Sequence, residues 1–118
     1  MRPTYHMIPA EAWAASDPDV PYEASSLASE GIIHCTDGEA ELLATANRHY
    51  ADDPRAFVTL TVDLDLVGSP WRIEDVAGIY PHVHGPIERA AILGQVPLLR
   101  DVTGRFTGFG PGRASIEV

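Results

Sequence analysis

The sequence predicts a single α+β domain, and three observations carry that expectation. Residues Phe57 to Leu64 alternate apolar and polar side chains, which is the period of a strand. A stretch ending near Tyr50 repeats Leu42, Leu43, Ala46 and Tyr50 at helical spacing. All the candidate elements together follow the order β-α-β-α-β-β-β, with too many strands and only two helices, which suits neither a bundle nor a regular βαβ series. There is no internal repeat and no second domain. Residues 1–100 read as one α+β domain and residues 101–118 as a glycine-rich C-terminal tail.

Taken in order, Thr4 to Ile8 form a β-prone run that stops at Pro9, and Ala10 to Ala15 read as a short helix around Trp13. Ser16 to Ser29 (SDPDVPYEASSLAS) are small, acidic or proline, a long loop of the kind that borders a pocket. Gly31 to His34 make a second strand. Thr36-Asp37-Gly38-Glu39 has the spacing of a capping box, so Thr36 is expected to cap the next helix, whose last turn carries Arg48 and His49 near the negative end of its dipole. In the strand from Phe57, Val58, Leu60, Val62 and Leu64 share one face, with Thr59, Thr61 and Asp63 on the other. A turn through Val67-Gly68-Ser69-Pro70 leads to Trp71–Glu74, expected to pair back antiparallel, with Arg72 and Glu74 on one face. Ala90 to Leu99 form a last apolar stretch in which Pro97 argues for an edge or a strand end. The tail's GFGPG has no following GK[ST] and reads as a mobile or covering segment rather than a phosphate loop.

Composition narrows the chemistry. The chain has 118 residues, 45% apolar and 21% charged, with 17 acidic against 8 basic side chains and a net charge of −9. Every basic residue is arginine, so a lysine Schiff base, a pyridoxal aldimine and a P-loop lysine are excluded. A pI near 4.7 without a basic run argues against duplex nucleic acid and anionic membranes, and leaves open a small nucleotide in a local pocket. The lone Cys35, an N-terminus without an apolar signal region, and the lack of any apolar run of about 20 residues point to a cytoplasmic protein. A homodimer is common at this size, although no coiled-coil pattern argues for one.

Four of the five histidines, His6, His34, His82 and His84, fall at strand ends or in loops, where sites are assembled. His6 has the plain alternative of a strand residue satisfied by backbone. Cys35, before a capped helix, is a conceivable thiolate nucleophile, set against the frequent burial of lone cysteines. The N–H groups of Thr36 to Glu39 suit a phosphate or carboxylate, with His34 beside them, or simply a well-capped helix. His82 and His84, bracketed by prolines in Tyr80-Pro81-His82-Val83-His84-Gly85-Pro86, point the same way in an extended chain. With His34, His6 or Glu74 they could hold zinc or a similar ion, or they could be two exposed rings in a turn. Glu74 is the acidic residue suited to a general base or ribose binder. Asn47, unfavourable inside a helix, could turn its amide to a polar pocket.

Tyr5-His6, Gly31-Ile32-Ile33-His34-Cys35-Thr36, Ala46-Asn47-Arg48, Glu74 and Tyr80-Pro81-His82-Val83-His84-Gly85-Pro86-Ile87 together resemble, in order and spacing, the family known as domain of unknown function 952. The resemblance spans about residues 3 to 99 and departs at His84, where the family usually carries tyrosine. That family has no settled activity. What the resemblance implies is an ADP-ribosyltransferase-like fold: small split antiparallel sheets around a cleft that, in active enzymes of that fold, holds a nicotinamide dinucleotide. His6 would then stand at a nucleotide-contacting position, with His34 and Thr36 facing the same cleft, and Glu88 near the region of the late catalytic glutamate.

The leading expectation is a protein that binds or acts on a nucleotide-like (NAD or ADP-ribose type) or other anionic small molecule in a cleft lined by His6, His34, Thr36, Asn47, Glu74 and His82, with His84 nearby. No cofactor is assigned beyond that NAD-like candidate. As an enzyme it would be a transferase or hydrolase, with His34 or His82 as general acid/base and Glu74 in support. Two other readings stand beside it: a metal-dependent enzyme using the His82/His84 pair, and a non-catalytic interaction or accessory module. Arg48 and Arg72 are the fixed positive charges available to an anionic ligand.

Overall fold

A computed structural model describes residues 1–111. Along them the chain forms β1 (Pro3–Pro9), α1 (Ala10–Ala15), α2 (Ser25–Glu30), β2 (Ile33–His34), α3 (Glu39–Tyr50), β3 (Phe57–Asp63), β4 (Trp71–Ile73), β5 (Pro81–Val83), β6 (Ile92–Arg100) and β7 (Phe106–Phe109). Short 3-10 turns occupy Leu64–Leu66 and Arg89–Ala91. The strands form two antiparallel sheets, ordered β1-β3-β6-β7 and β2-β5-β4. The fold is thus mixed α+β, with few helices. No helix among the described residues is long and apolar enough to cross a membrane.

Strand β3 organises the larger sheet because both its edges are taken. β1 pairs with it from Pro3↔Asp63 to Pro9↔Phe57, and β6 from Val58↔Pro97 to Val62↔Ile92. On one face Ile8, Leu60 and Val62 pack with Ile33, Cys35, Val83 and Ile87 from the smaller sheet and its connections. On the other, Leu42 and Ala46 of α3 pack with Phe57, Leu98 and Phe106. The Thr59, Thr61, Asp63 face is therefore buried as well, contrary to the solvated face that its polar residues suggest. Asp63 is satisfied there by the backbone N–H groups of Arg2 and Asp65. The two sheets are stitched at one point, where Tyr5 N–H donates to the Thr36 carbonyl (3.0 Å) and Thr36 N–H to that of Tyr5 (2.8 Å).

Several local expectations change once the pairing is known. Trp71–Ile73 does not return to β3, which has no free edge, and pairs instead with Pro81–Val83. That second segment is a strand although prolines bracket it. The end of the segment read as loop, from Ser25 to Ser29, forms α2 (Ser25–Glu30), closed by Gly31 in the left-handed conformation at φ 78°. Thr36 does not cap α3. Its backbone is held extended against Tyr5, Gly38 at φ 91° makes the turn, and the helix begins at Glu39 without a side-chain cap. Pro97 lies within β6 at the last β3 pair, and β6 is an inner strand because β7, from the segment read as tail, covers its far edge. Residues 112–118, the end of that segment, lie outside the described residues.

Asn47 explains how a glycine-rich segment becomes a strand. Its side-chain Nδ2 donates to the Phe106 carbonyl (2.9 Å) and its Oδ1 accepts the Phe106 N–H (2.7 Å), so one amide holds both backbone groups of a β7 residue. Asn47→Ala leaves both groups without that partner. The expected cost is about 1–3 kcal/mol, measured as a lower urea midpoint. A variant as stable as the parent would show the clamp to be dispensable.

Candidate functional site

A cleft of about 880 Å³ opens beside the junction of the sheets. Its buried lining residues include His6, Tyr22, Cys35 and Thr36, which form the floor, and α2, Thr45 and Arg48 of α3, His34, Tyr80 and His82 also line it. The loop after α1 does border this pocket, contributing Ser16 and Tyr22 to Ala24.

His6 alternates inward from β1 and is buried. Its Nδ1 lies 2.7 Å from the His34 carbonyl oxygen, which can only accept, so Nδ1 carries the proton and donates. The other nitrogen, Nε2, lies 2.7 Å from the Tyr22 hydroxyl. Burial lowers the His6 imidazole to about 4, against the opposing effect of the His34 carbonyl bond, so at neutral pH the ring is uncharged. Nε2 is then an acceptor and the Tyr22 O–H donates to it. Burial in turn raises the Tyr22 phenol. Cys35 is also sealed in, its thiol pushed up by burial to about 12. A thiolate nucleophile at Cys35 is therefore set aside: the group stays a thiol at neutral pH.

At the rim, register creates a row. His34 of β2 faces His82 of β5, and His82 faces Arg72 of β4, all on the side of the small sheet opposite Ile33 and Val83. The His34 and His82 rings meet edge-on with centroids 5.2 Å apart. His34 Nε2 bonds Glu30 Oε1 at 3.2 Å. Glu74 Oε1 accepts from both His82 Nδ1 and His84 Nε2, each at 3.2 Å, and these two bonds, His82's first, hold the Glu74 carboxyl below its ordinary value. The His82 bond to Glu74 orients its imidazole, an arrangement suited to proton exchange.

Arg48 is the cationic feature of the cleft. Its Nη2 donates to the Tyr80 hydroxyl (3.1 Å) and the Thr45 hydroxyl (3.3 Å), and it has no carboxylate partner among the described residues. Arg55, the other guanidinium lining the cleft, is neutralised by Asp53 at 2.7 Å, whose carboxyl is lowered to about 2 by that bond. Arg72 lies outside the lining.

Of the residues singled out from sequence, His6, His34, Thr36 and His82 line the cleft together. Glu74 and His84 adjoin it behind His82 without lining it. Asn47 does not reach it, because its amide is spent on Phe106. The His82/His84 pair converges on a carboxylate oxygen. Among the described residues no group of three or more His, Cys, Asp or Glu side chains is arranged to hold a metal ion. Tyr22 and Thr45 were not apparent from sequence, and Tyr80, which opens the singled-out histidine segment, was given no role there. Tyr22 stood only as an aromatic residue within the small, acidic loop, and its partner His6 is on another element.

No curated protein matches the chain. Among solved structures, protein CC0527 from Caulobacter crescentus is similar in fold, as is a double mutant of it. Each has a TM-score of 0.72 and 19% identity, covering 89% of this chain and 93% of that one. The family model described as Protein of unknown function (DUF952) matches residues 7–95, well over half of the sequence, and the chain belongs to that family.

Proposed function

We propose that the chain binds a small anionic molecule of nucleotide type in the histidine-lined cleft. The observation that carries this reading is Arg48: a guanidinium lining the cleft, held between two hydroxyls and lacking an acid, in a chain of net charge −9. Arg2 and Arg55 are paired with Asp37 and Asp53, and Arg89 and Arg100 are spent largely on backbone carbonyls, whereas the Arg48 guanidinium touches only hydroxyls. A planar fork left open beside hydroxyl donors suits a phosphate or carboxylate. His82, backed by Glu74, gives such a ligand a proton-exchanging neighbour. The ADP-ribosyltransferase-like architecture implied by the sequence resemblance is the reason to include NAD and ADP-ribose among the ligands tried.

Melting temperatures recorded with millimolar NAD, ADP-ribose, AMP or inorganic phosphate test the reading. A ligand present at 100 times its Kd stabilises by about 2.7 kcal/mol, a rise of several degrees. At least one of these anions is expected to produce it, and Arg48→Ala to abolish it. No shift with any of them, or a shift that survives Arg48→Ala, overturns the proposal.

A further inference from the structure

The floor of the cleft has a fixed hydrogen-bonding polarity. Tyr22 exchanges both its backbone groups with Ile87, at 2.8 and 2.9 Å, and Thr36 exchanges both of its own with Tyr5. What either residue offers a ligand is therefore its side chain. The His34 carbonyl fixes the proton of His6 on Nδ1, so Nε2 claims the Tyr22 phenolic proton and the Tyr22 oxygen keeps only lone pairs to offer. Thr36 is 5% exposed, and its hydroxyl has no hydrogen-bond partner among the described residues. Unlike the hydroxyls of Thr4 and Thr59, which are sealed in the core, it belongs to a residue lining the cleft. A hydroxyl without a partner, on a residue that lines the same cleft as the Tyr22 acceptor and is not sealed in the core, is free to take a polar group from a ligand.

We infer that the floor at Tyr22 and Thr36 receives a neutral, hydroxyl-bearing end of the ligand while its anionic group stays at Arg48, so that the ligand class is a phosphorylated sugar, free or within a nucleotide. This rests on the cleft-binding reading above and adds the orientation. A second anionic group at the floor would meet the lone pairs of Tyr22 and would lose water without gaining a cation. A sugar hydroxyl donates to Tyr22 and can both donate to and accept from Thr36. The phosphate requires the guanidinium, which only Arg48 leaves free in the cleft.

Calorimetric titration of the full chain at pH 7.5 with inorganic phosphate, propyl phosphate, ribose 5-phosphate and AMP tests the inference. Propyl phosphate has the charge and none of the hydroxyls. Ribose 5-phosphate is expected to bind about tenfold more tightly than propyl phosphate, the worth of one well-made hydrogen bond. In Tyr22→Phe that difference disappears, and in Thr36→Val, which leaves the Tyr22–His6 bond in place, it shrinks. Thr36→Val carries the test alone if circular dichroism shows Tyr22→Phe unfolded. AMP binding more tightly than ribose 5-phosphate assigns the ligand to nucleotides, and equal or weaker binding to free sugar phosphates; both support the inference. Equal affinities for propyl phosphate and ribose 5-phosphate, or a difference that persists in the folded variants, overturn it and leave anion binding at Arg48 intact. Absence of binding by all four overturns the inference, and the cleft-binding reading falls with it if NAD and ADP-ribose also fail to shift the melting temperature.

Discussion

Leu60→Ala is expected to destabilise the fold by about 2–5 kcal/mol, the range for removing a buried leucine side chain without collapse of the space it leaves. Leu60 is fully buried on β3, with strands hydrogen-bonded to both edges and the smaller sheet's core residues packed over its face. A strand held on both sides has little freedom to move into the cavity. Urea unfolding of parent and variant gives the value directly, and a loss below about 1 kcal/mol would contradict the placement of this residue at the junction of the sheets.

Acid is expected to weaken the fold between about pH 6.5 and pH 4, His6 contributing a loss on the order of 3 kcal/mol. In the unfolded chain the imidazole takes its proton near 6.5, whereas in the fold it does so only at about 4. Between these values the unfolded state binds the extra proton. Stability is therefore full above the unfolded value, falls as pH is lowered through the window, and stops falling on this account below the folded value. The carboxyls of Asp53, Asp75, Glu74 and Asp101, all held below their ordinary values, contribute at the acid end as they are protonated. The His6 share is isolated by comparison with His6→Asn: the parent is expected to take up about one more proton on unfolding near pH 5 than the variant does. Parallel stability curves would show that His6 is not held neutral in the fold.

Local patterns were legible in the sequence, and long-range partners were not. The alternation over Phe57–Asp63 and the apolar spacing of α3 reflect burial that each element carries in its own residues. That both faces of β3 are covered depends on α3 and β7, which no periodicity within β3 reports. The pairing of β4 with β5 follows from β3 having no free edge, a property of the assembled sheet. β5 was hidden by its prolines, β7 by its glycines, and α2 by a serine- and alanine-rich stretch with almost no apolar period. The same division holds at the cleft. His34 and Thr36 stood out at the end of β2, whereas His6 and His82, expected at strand ends or in loops, sit within β1 and β5 and reach the cleft by strand alternation and pairing. The role of Tyr22 is set by a histidine 16 residues away on another element, and that of Arg48 by the absence of a nearby acid. Asn47 shows the opposite case: a polar residue inside a helix does signal a polar partner, and the partner is the backbone of β7.

The binding of an anion at Arg48 is tested most directly by titrating ribose 5-phosphate into isotopically labelled protein and following the amide and arginine side-chain resonances. The largest shifts are expected at Thr45, Arg48 and Tyr80, with Tyr22 and Thr36 moving along the same saturation curve, and all of them lost in Arg48→Ala. Shifts confined to Arg72 or Arg105, or no saturable shift around Arg48, would contradict it.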